Sequence, residues 1–167
     1  MKKYQNIALT IFIIILILAG LIWFSSLSRQ NKDSDLGSTN GVLSSEESFF
    51  DFGTISMAAG KIFHTFKIKN VGPEPLTITK IYTSCMCTEA TLIKVGVRKG
   101  PFGMLSHGSL PKINQTLEPN EEVQIEVVFD PAAHGPAGLG KTQRVVSLEN
   151  SGKNPKFELS ISANVTP

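Results

Sequence analysis

The sequence predicts an antiparallel β-sandwich that follows an apolar N-terminal segment and a polar linker. Three observations support this organisation. Residues 7–24 contain no charged side chain, whereas residues 25–47 are rich in Ser, Asn, Asp and Gly. Residues 48–167 then show short stretches in which polar and apolar side chains alternate, separated by Gly, Pro and Asn. At 167 residues, the chain is long enough for one such domain of ordinary size.

The apolar segment, residues 7–24, predicts a single transmembrane helix. As an α-helix it would be about 27 Å long, close to the roughly 30 Å of hydrocarbon in a bilayer. The apolar stretch of a cleaved signal peptide is usually shorter, about 7–15 residues. Trp23, near the end of the segment, suits the membrane interface. We therefore expect an uncleaved signal anchor, with cleavage as the alternative.

The charges that flank this segment predict its orientation. Lys2 and Lys3 precede it with the α-amino group, and Arg29 and Lys32 follow it. The α-amino charge tips this near balance towards a cytoplasmic N-terminus, residues 1–6. We therefore expect a single-pass protein of the cell membrane. Its C-terminal domain would be extracytoplasmic, either periplasmic or at the cell surface, where thiols can oxidise.

The linker and the domain differ in their capacity to form a core. Residues 25–47 contain few aliphatic side chains and predict a flexible stalk. Residues 48–167 contain six or seven predicted strands and no clear amphipathic helix. The clearest strand has an apolar side chain at every second position of residues 123–129. Such alternation is typical of a sheet with one face on a core and one in water.

Composition and motifs exclude several classes of function. The chain has 16 Lys and Arg against 14 Asp and Glu and lacks a dense basic stripe, so we expect no nucleic-acid partner. Residues 135–142 match the spacing of a phosphate-binding loop, but the β-branched residues that follow predict a strand where that loop requires a helix. We therefore expect a hairpin loop and no nucleotide.

The sequence contains no nucleophile-elbow motif and no distinctive acidic pair, so we expect a protein that is not an enzyme.

The spacing of the only two cysteines is the strongest chemical signal. An alternation that starts at Ile81 and Thr83 continues through Cys85 and Cys87, which predicts that both cysteines lie on one face of a strand. Their Cα atoms would then be about 6.6 Å apart, so a disulfide would be strained and easily reduced. Two thiolates that bind one metal ion need a sulfur separation of only about 4 Å, which side-chain rotation can provide.

These thiolates favour a soft metal ion, and Cu(I) is the leading hypothesis. A thioether or imidazole can complete such a site. The candidate metal ligands are Cys85, Cys87, Met104, His107 and His134. Two alternatives stay open for the cysteines: a structural or redox-labile pair, and inert thiols. For the whole protein, the alternative is a structural or protein-interaction module of the cell envelope. It would bind a protein partner through the sandwich edges or loops.

Several segments, in this order, resemble the bacterial domain-of-unknown-function 1573 family: residues 50–55, 69–72, 75–78, 84–88, 117–121 and 127–131. The resemblance covers roughly residues 49–165. It implies an immunoglobulin-like sandwich and an exported bacterial protein, and no established activity. Two features depart from the family pattern: Met86 stands where the family usually has glycine, and residues 90–116 form a longer connection than usual.

Overall fold

The computed structural model describes residues 38–105 and 112–167. The predicted anchor, most of the predicted linker and His107 lie outside these ranges. Within the two ranges, no helix has the length and apolar character needed to cross a bilayer. The transmembrane segment therefore stays a prediction.

The described residues form ten β-strands and two short 3-10 helices, Met57–Ala59 and Gly135–Gly138. The strands are β1 (Leu43–Ser44), β2 (Phe49–Ser56), β3 (Ile62–Asn70), β4 (Leu76–Thr83), β5 (Thr88–Lys94), β6 (Val97–Phe102), β7 (Gln115–Leu117), β8 (Glu122–Phe129), β9 (Gly140–Asn150) and β10 (Lys156–Thr166).

The strands build two five-stranded sheets, which confirms the predicted β-sandwich. The first sheet has the order β1-β3-β8-β5-β6, and the second has the order β2-β10-β9-β4-β7. Neighbouring strands are antiparallel except for β2 and β10, which are parallel. The second sheet is therefore mixed, and the prediction of a purely antiparallel sandwich is wrong for this one pair of strands. Strands β1, β6, β2 and β7 are the sheet edges at which partner binding was predicted.

Ordered structure begins before residue 48, inside the predicted linker. Leu43 and Ser44 form β1 and pair with the end of β3, at Asn70 and Lys69. Leu43 is only 6% exposed and joins the core. This leucine is one of the few aliphatic residues of the linker, and its burial ties this part of the segment to the sandwich.

The core lies between the sheets and follows the predicted alternation. In β8, the four residues of the predicted strand are buried and their neighbours face outwards or are half-buried. The same pattern holds in β10. The largest fully buried side chains of the described residues are Phe66, Ile68, Leu76, Ile78, Ile81, Leu92, Leu117, Ile125, Leu148, Leu159, Val123 and Val127.

A buried amide fixes one end of the sandwich. The side chain of Asn70, at the end of β3, is fully buried and makes four hydrogen bonds. Its nitrogen donates to the carbonyl oxygens of Glu74 (2.8 Å) and Leu117 (3.1 Å). Its oxygen accepts from the backbone N–H groups of Val42 (3.1 Å) and Gly72 (3.0 Å). One side chain thus connects the segments around β1, β3, β4 and β7.

We expect Asn70→Ala to lower the free energy of unfolding by at least about 2 kcal/mol, because a buried polar group without its partner costs about 1–3 kcal/mol. Urea unfolding followed by circular dichroism measures the change. Asn154→Ala is the matched control, because the Asn154 side chain is exposed. Equal unfolding midpoints for the two variants would contradict the role assigned to Asn70.

Candidate functional site

The two cysteines lie on a tight turn, and the prediction that they continue a strand is wrong. Strand β4 ends at Thr83 and β5 begins at Thr88. The backbone N–H of Thr88 donates to the carbonyl oxygen of Cys85 (3.1 Å), which closes the turn. Since β4 and β5 belong to different sheets, this turn carries the chain across the sandwich. The hydroxyl of Thr83 lies 3.0 Å from the carbonyl oxygen of Cys85 and 2.9 Å from that of Thr88, and it supports the abrupt change of direction.

A second crossing between the sheets lies beside the cysteine turn. Strand β8 belongs to the first sheet and β9 to the second. The connection between them begins at Asp130, whose backbone N–H donates to the carbonyl oxygen of Cys87 (2.9 Å). The Asp130 carboxylate accepts from the backbone N–H of Ala132 (2.9 Å), which bends the start of the loop. The loop then places His134 immediately before the 3-10 helix Gly135–Gly138.

These two crossings bring together three of the five predicted ligands. The Sγ atoms of Cys85 and Cys87 are 2.7 Å apart, and Cys85 Sγ is 3.0 Å from His134 Nε2. The three ligand atoms lie within 4.8 Å of one another. Both cysteines are free thiols. Cys87 is 3% exposed, Cys85 is half-buried, and His134 is exposed, so the cluster is reached from the outside through Cys85 and His134.

Arg144, which the sequence analysis missed, is the fourth member of this cluster. Its Nε–H donates to Cys87 Sγ (3.1 Å) from strand β9. Val146 and Leu148 are core residues of the same strand, and side chains two positions apart share a face. A charged residue in register with these core residues was the signal that could have identified Arg144.

The thiols of Cys85 and Cys87 differ in their acidity. Burial raises the pKa of Cys85, but hydrogen bonds from the thiol and backbone N–H of Cys87, the contact with His134 and the charge of Arg144 lower it to about 7. Burial raises the pKa of Cys87, and its hydrogen bond to Cys85 raises it further, although Arg144 opposes this. Cys85 is therefore the thiol that ionises first.

Of the other two predicted ligands, Met104 and His107, the structure describes only Met104. Met104 is 44% exposed, and its backbone forms an isolated bridge with Thr83, at the end of β4. The backbone N–H of Thr83 also donates to the carbonyl oxygen of Gly103 (3.0 Å). Met104 thus lies in a segment paired with the start of the cysteine turn, whereas His107 is outside the described residues. Their roles as ligands stay predictions.

The phosphate-loop spacing at residues 135–142 does not have the geometry of a phosphate-binding loop. The 3-10 helix occupies Gly135–Gly138, and β9 begins at Gly140, so Lys141 and Thr142 lie in a strand. A phosphate-binding loop needs the N-terminus of a helix at this point. The strand predicted to follow this loop is confirmed as β9. The predicted hairpin is wrong, because β8 and β9 belong to different sheets.

A comparison with protein families confirms the predicted resemblance over part of the chain. The model of the family described as "Protein of unknown function (DUF1573)" matches residues 43–106. The matched region contains β1 to β6 and the cysteine turn. No match was found among curated protein sequences.

Several solved structures align with this chain at low sequence identity, and one of them, from Porphyromonas gingivalis, supports the same fold. A protein of unknown function from Porphyromonas gingivalis W83 aligns with 80% of this chain and 51% of its own, at 15% identity and a TM-score of 0.56. The secreted serine protease VesC from Vibrio cholerae aligns with 81% of this chain and 25% of its own, at 12% identity and a TM-score of 0.47. A PapD-like domain of human CEP192 aligns with 77% of this chain and 87% of its own, at 12% identity and a TM-score of 0.44. This chain therefore spans about half the length of the P. gingivalis protein and a quarter of VesC.

We expect the alkylation of Cys85 by iodoacetamide in the reduced, metal-free protein to rise through a midpoint near pH 7, because the thiolate is the nucleophile. Tandem mass spectrometry of the peptide that contains both residues distinguishes alkylation at Cys85 from alkylation at the buried Cys87. Arg144→Gln should move the midpoint to higher pH, since loss of the positive charge destabilises the thiolate. Arg98→Gln, at an exposed arginine on β6, is the matched control and should leave the midpoint unchanged. A midpoint at the ordinary thiol pKa in the wild-type protein would contradict this account.

Proposed function

We propose that this protein is a membrane-tethered, extracytoplasmic and non-enzymatic module of immunoglobulin-like fold that binds one soft metal ion, Cu(I). The ligands would be Cys85, Cys87 and His134. The single observation that carries the proposal is the convergence of their three ligand atoms within 4.8 Å on two adjacent crossings between the sheets.

The type of donor atoms favours copper over harder metal ions. Two thiolates and one imidazole are soft or borderline ligands, which suit Cu(I). A structural zinc site almost always has four protein ligands, whereas the described residues bring three together. Met104 and His107 are candidates for a further ligand from the neighbouring loop.

Charge balance points to the same metal. Two thiolates and one Cu(I) ion carry a net charge of −1, and the guanidinium of Arg144 at Cys87 Sγ offsets it. With a divalent ion, the two thiolates, the ion and Arg144 would together carry an uncompensated positive charge. Because Cys87 is buried, this local balance lowers the cost of desolvating the charges.

Metal binding would require a modest change in side-chain position. Metal–sulfur bonds of about 2.3 Å in a trigonal arrangement place two sulfurs about 4 Å apart. The present separation of the sulfurs is 2.7 Å, so they must move apart. Cys85 and His134 are the accessible ligands that would move, while Cys87 is held by Arg144 and the core. The exposed side would also be where the ion enters and leaves, so the module would capture and hand over copper while its tether limits diffusion.

We expect the reduced full-length protein to bind one equivalent of Cu(I) in competition with a chromogenic chelator. Cys85→Ser combined with Cys87→Ser should abolish this binding, and His134→Asn should weaken it at least about tenfold, because a ligand is lost. Met104→Leu and His107→Asn test the two remaining candidate ligands. His64→Asn is the matched control for His134→Asn, because His64 lies on β3 and contacts Glu47 rather than the cysteines.

Equal competition by the wild-type protein and the double serine variant would overturn the copper proposal. The protein would then be better described as a structural or protein-interaction module of the cell envelope.

We expect the full-length protein to stay with the membrane fraction after an alkaline carbonate wash, because residues 7–24 are long enough to span the bilayer. Deletion of these residues should release it. In intact spheroplasts, a membrane-impermeant maleimide should label the wild-type protein at Cys85, with Cys85→Ser as the control. Labelling that appears only after lysis would contradict an extracytoplasmic domain.

A further inference from the structure

The separation of the two sulfurs lies between the values for two different chemical states. A disulfide bond is about 2.05 Å long, and two thiolates on one metal ion are about 4 Å apart. Cys85 Sγ and Cys87 Sγ are 2.7 Å apart as free thiols. The turn thus places the two sulfurs in direct contact.

The two sulfurs also differ in what surrounds them. Cys85 is half-buried and contacts the exposed His134, so a co-reactant in solution can reach it. Cys87 is 3% exposed and lies beneath Cys85, in contact with Arg144. An accessible thiol in contact with a buried thiol is the arrangement that a two-step thiol–disulfide exchange requires.

We propose that Cys85 and Cys87 form a reversible disulfide by exchange with a small-molecule disulfide, and that this oxidation switches off the metal site. The first half of this inference concerns the metal-free protein. The second half, the control of metal binding, rests on the proposed function.

The exchange proceeds in two balanced steps. The thiolate of Cys85 attacks one sulfur of the co-reactant RSSR, so a Cys85–SR bond forms, the RS–SR bond breaks and RS⁻ leaves. Cys87 then loses its proton and attacks Cys85 Sγ, which forms the Cys85–Cys87 disulfide and expels a second RS⁻. The two departing thiolates take up the two protons that the cysteines lost. The pair is oxidised by two electrons, and RSSR is reduced to two molecules of RSH.

Arg144 acts as a positioning residue in the second step. Its Nε–H lies 3.1 Å from Cys87 Sγ and directs a positive charge at the sulfur that must become a thiolate. Loss of this charge slows the attack of Cys87 on the mixed disulfide. The mixed disulfide therefore lasts longer in Arg144→Gln, and Arg144→Lys, which retains the positive charge, should restore its rapid resolution.

The test uses the reduced, metal-free full-length protein in a mild detergent, incubated with glutathione disulfide and acid-quenched for intact mass spectrometry. The wild-type protein should lose two hydrogens without a lasting glutathione adduct. Cys87→Ser should retain one glutathione at Cys85. Cys85→Ser should react at least about tenfold more slowly than Cys87→Ser, because Cys87 is buried. Arg144→Gln should accumulate the adduct transiently, and Arg98→Gln should behave like the wild-type protein.

The exchange is overturned if the wild-type protein stays reduced or keeps its adduct, or if Cys85→Ser reacts as fast as Cys87→Ser. A second measurement tests the switch: the oxidised protein should bind no Cu(I), and Cu(I) added first should slow the exchange. If the exchange occurs but the reduced protein binds no Cu(I), the proposed function fails and the disulfide chemistry stands. If Cu(I) binds equally to the reduced and oxidised proteins, the switch is overturned.

Discussion

The hydrogen bond from the backbone N–H of Asp130 to the carbonyl oxygen of Cys87 joins two of the connections through which the chain crosses between the sheets. One crossing is the cysteine turn, and the other is the loop from β8 to β9. Because they are joined, His134 reaches Cys85 although the two residues are 49 positions apart in sequence. Strand β9 then returns along the second sheet and brings Arg144 to Cys87. The cluster thus follows from the topology rather than from a local motif.

The sequence predicted the buried residues of a strand wherever one face of that strand packs on the core and the other faces solvent. The alternation in β8 and β10 identified buried residues because side chains of a strand alternate between faces. The same rule failed at Cys85 and Cys87, where the alternation continues but the backbone turns. The parallel pair of β2 and β10 and the separation of β8 from β9 are long-range features that no local pattern encodes.

The candidate site was likewise predictable only in part. Cys85, Cys87 and His134 were named from the chemistry of their side chains, since thiolates and imidazoles bind metal ions. Their proximity was not predictable, because it depends on which loops meet at one end of the sandwich. Arg144 was missed because a single arginine in a strand usually lies on the solvent face. Only its register with buried neighbours distinguishes it.

A disulfide within the cysteine turn and a metal ion that also binds His134 would close loops of very different length. A covalent link between Cys85 and Cys87 closes a loop of a few residues, so it removes little entropy from the unfolded chain. An ion held by these cysteines and His134 joins segments that are 49 residues apart. It would therefore restrict the unfolded chain much more strongly and tie the two crossings together. The same two sulfur atoms can thus restrict either a few residues or a long stretch of the unfolded chain. The difference lies in whether they bind each other or share an ion with His134.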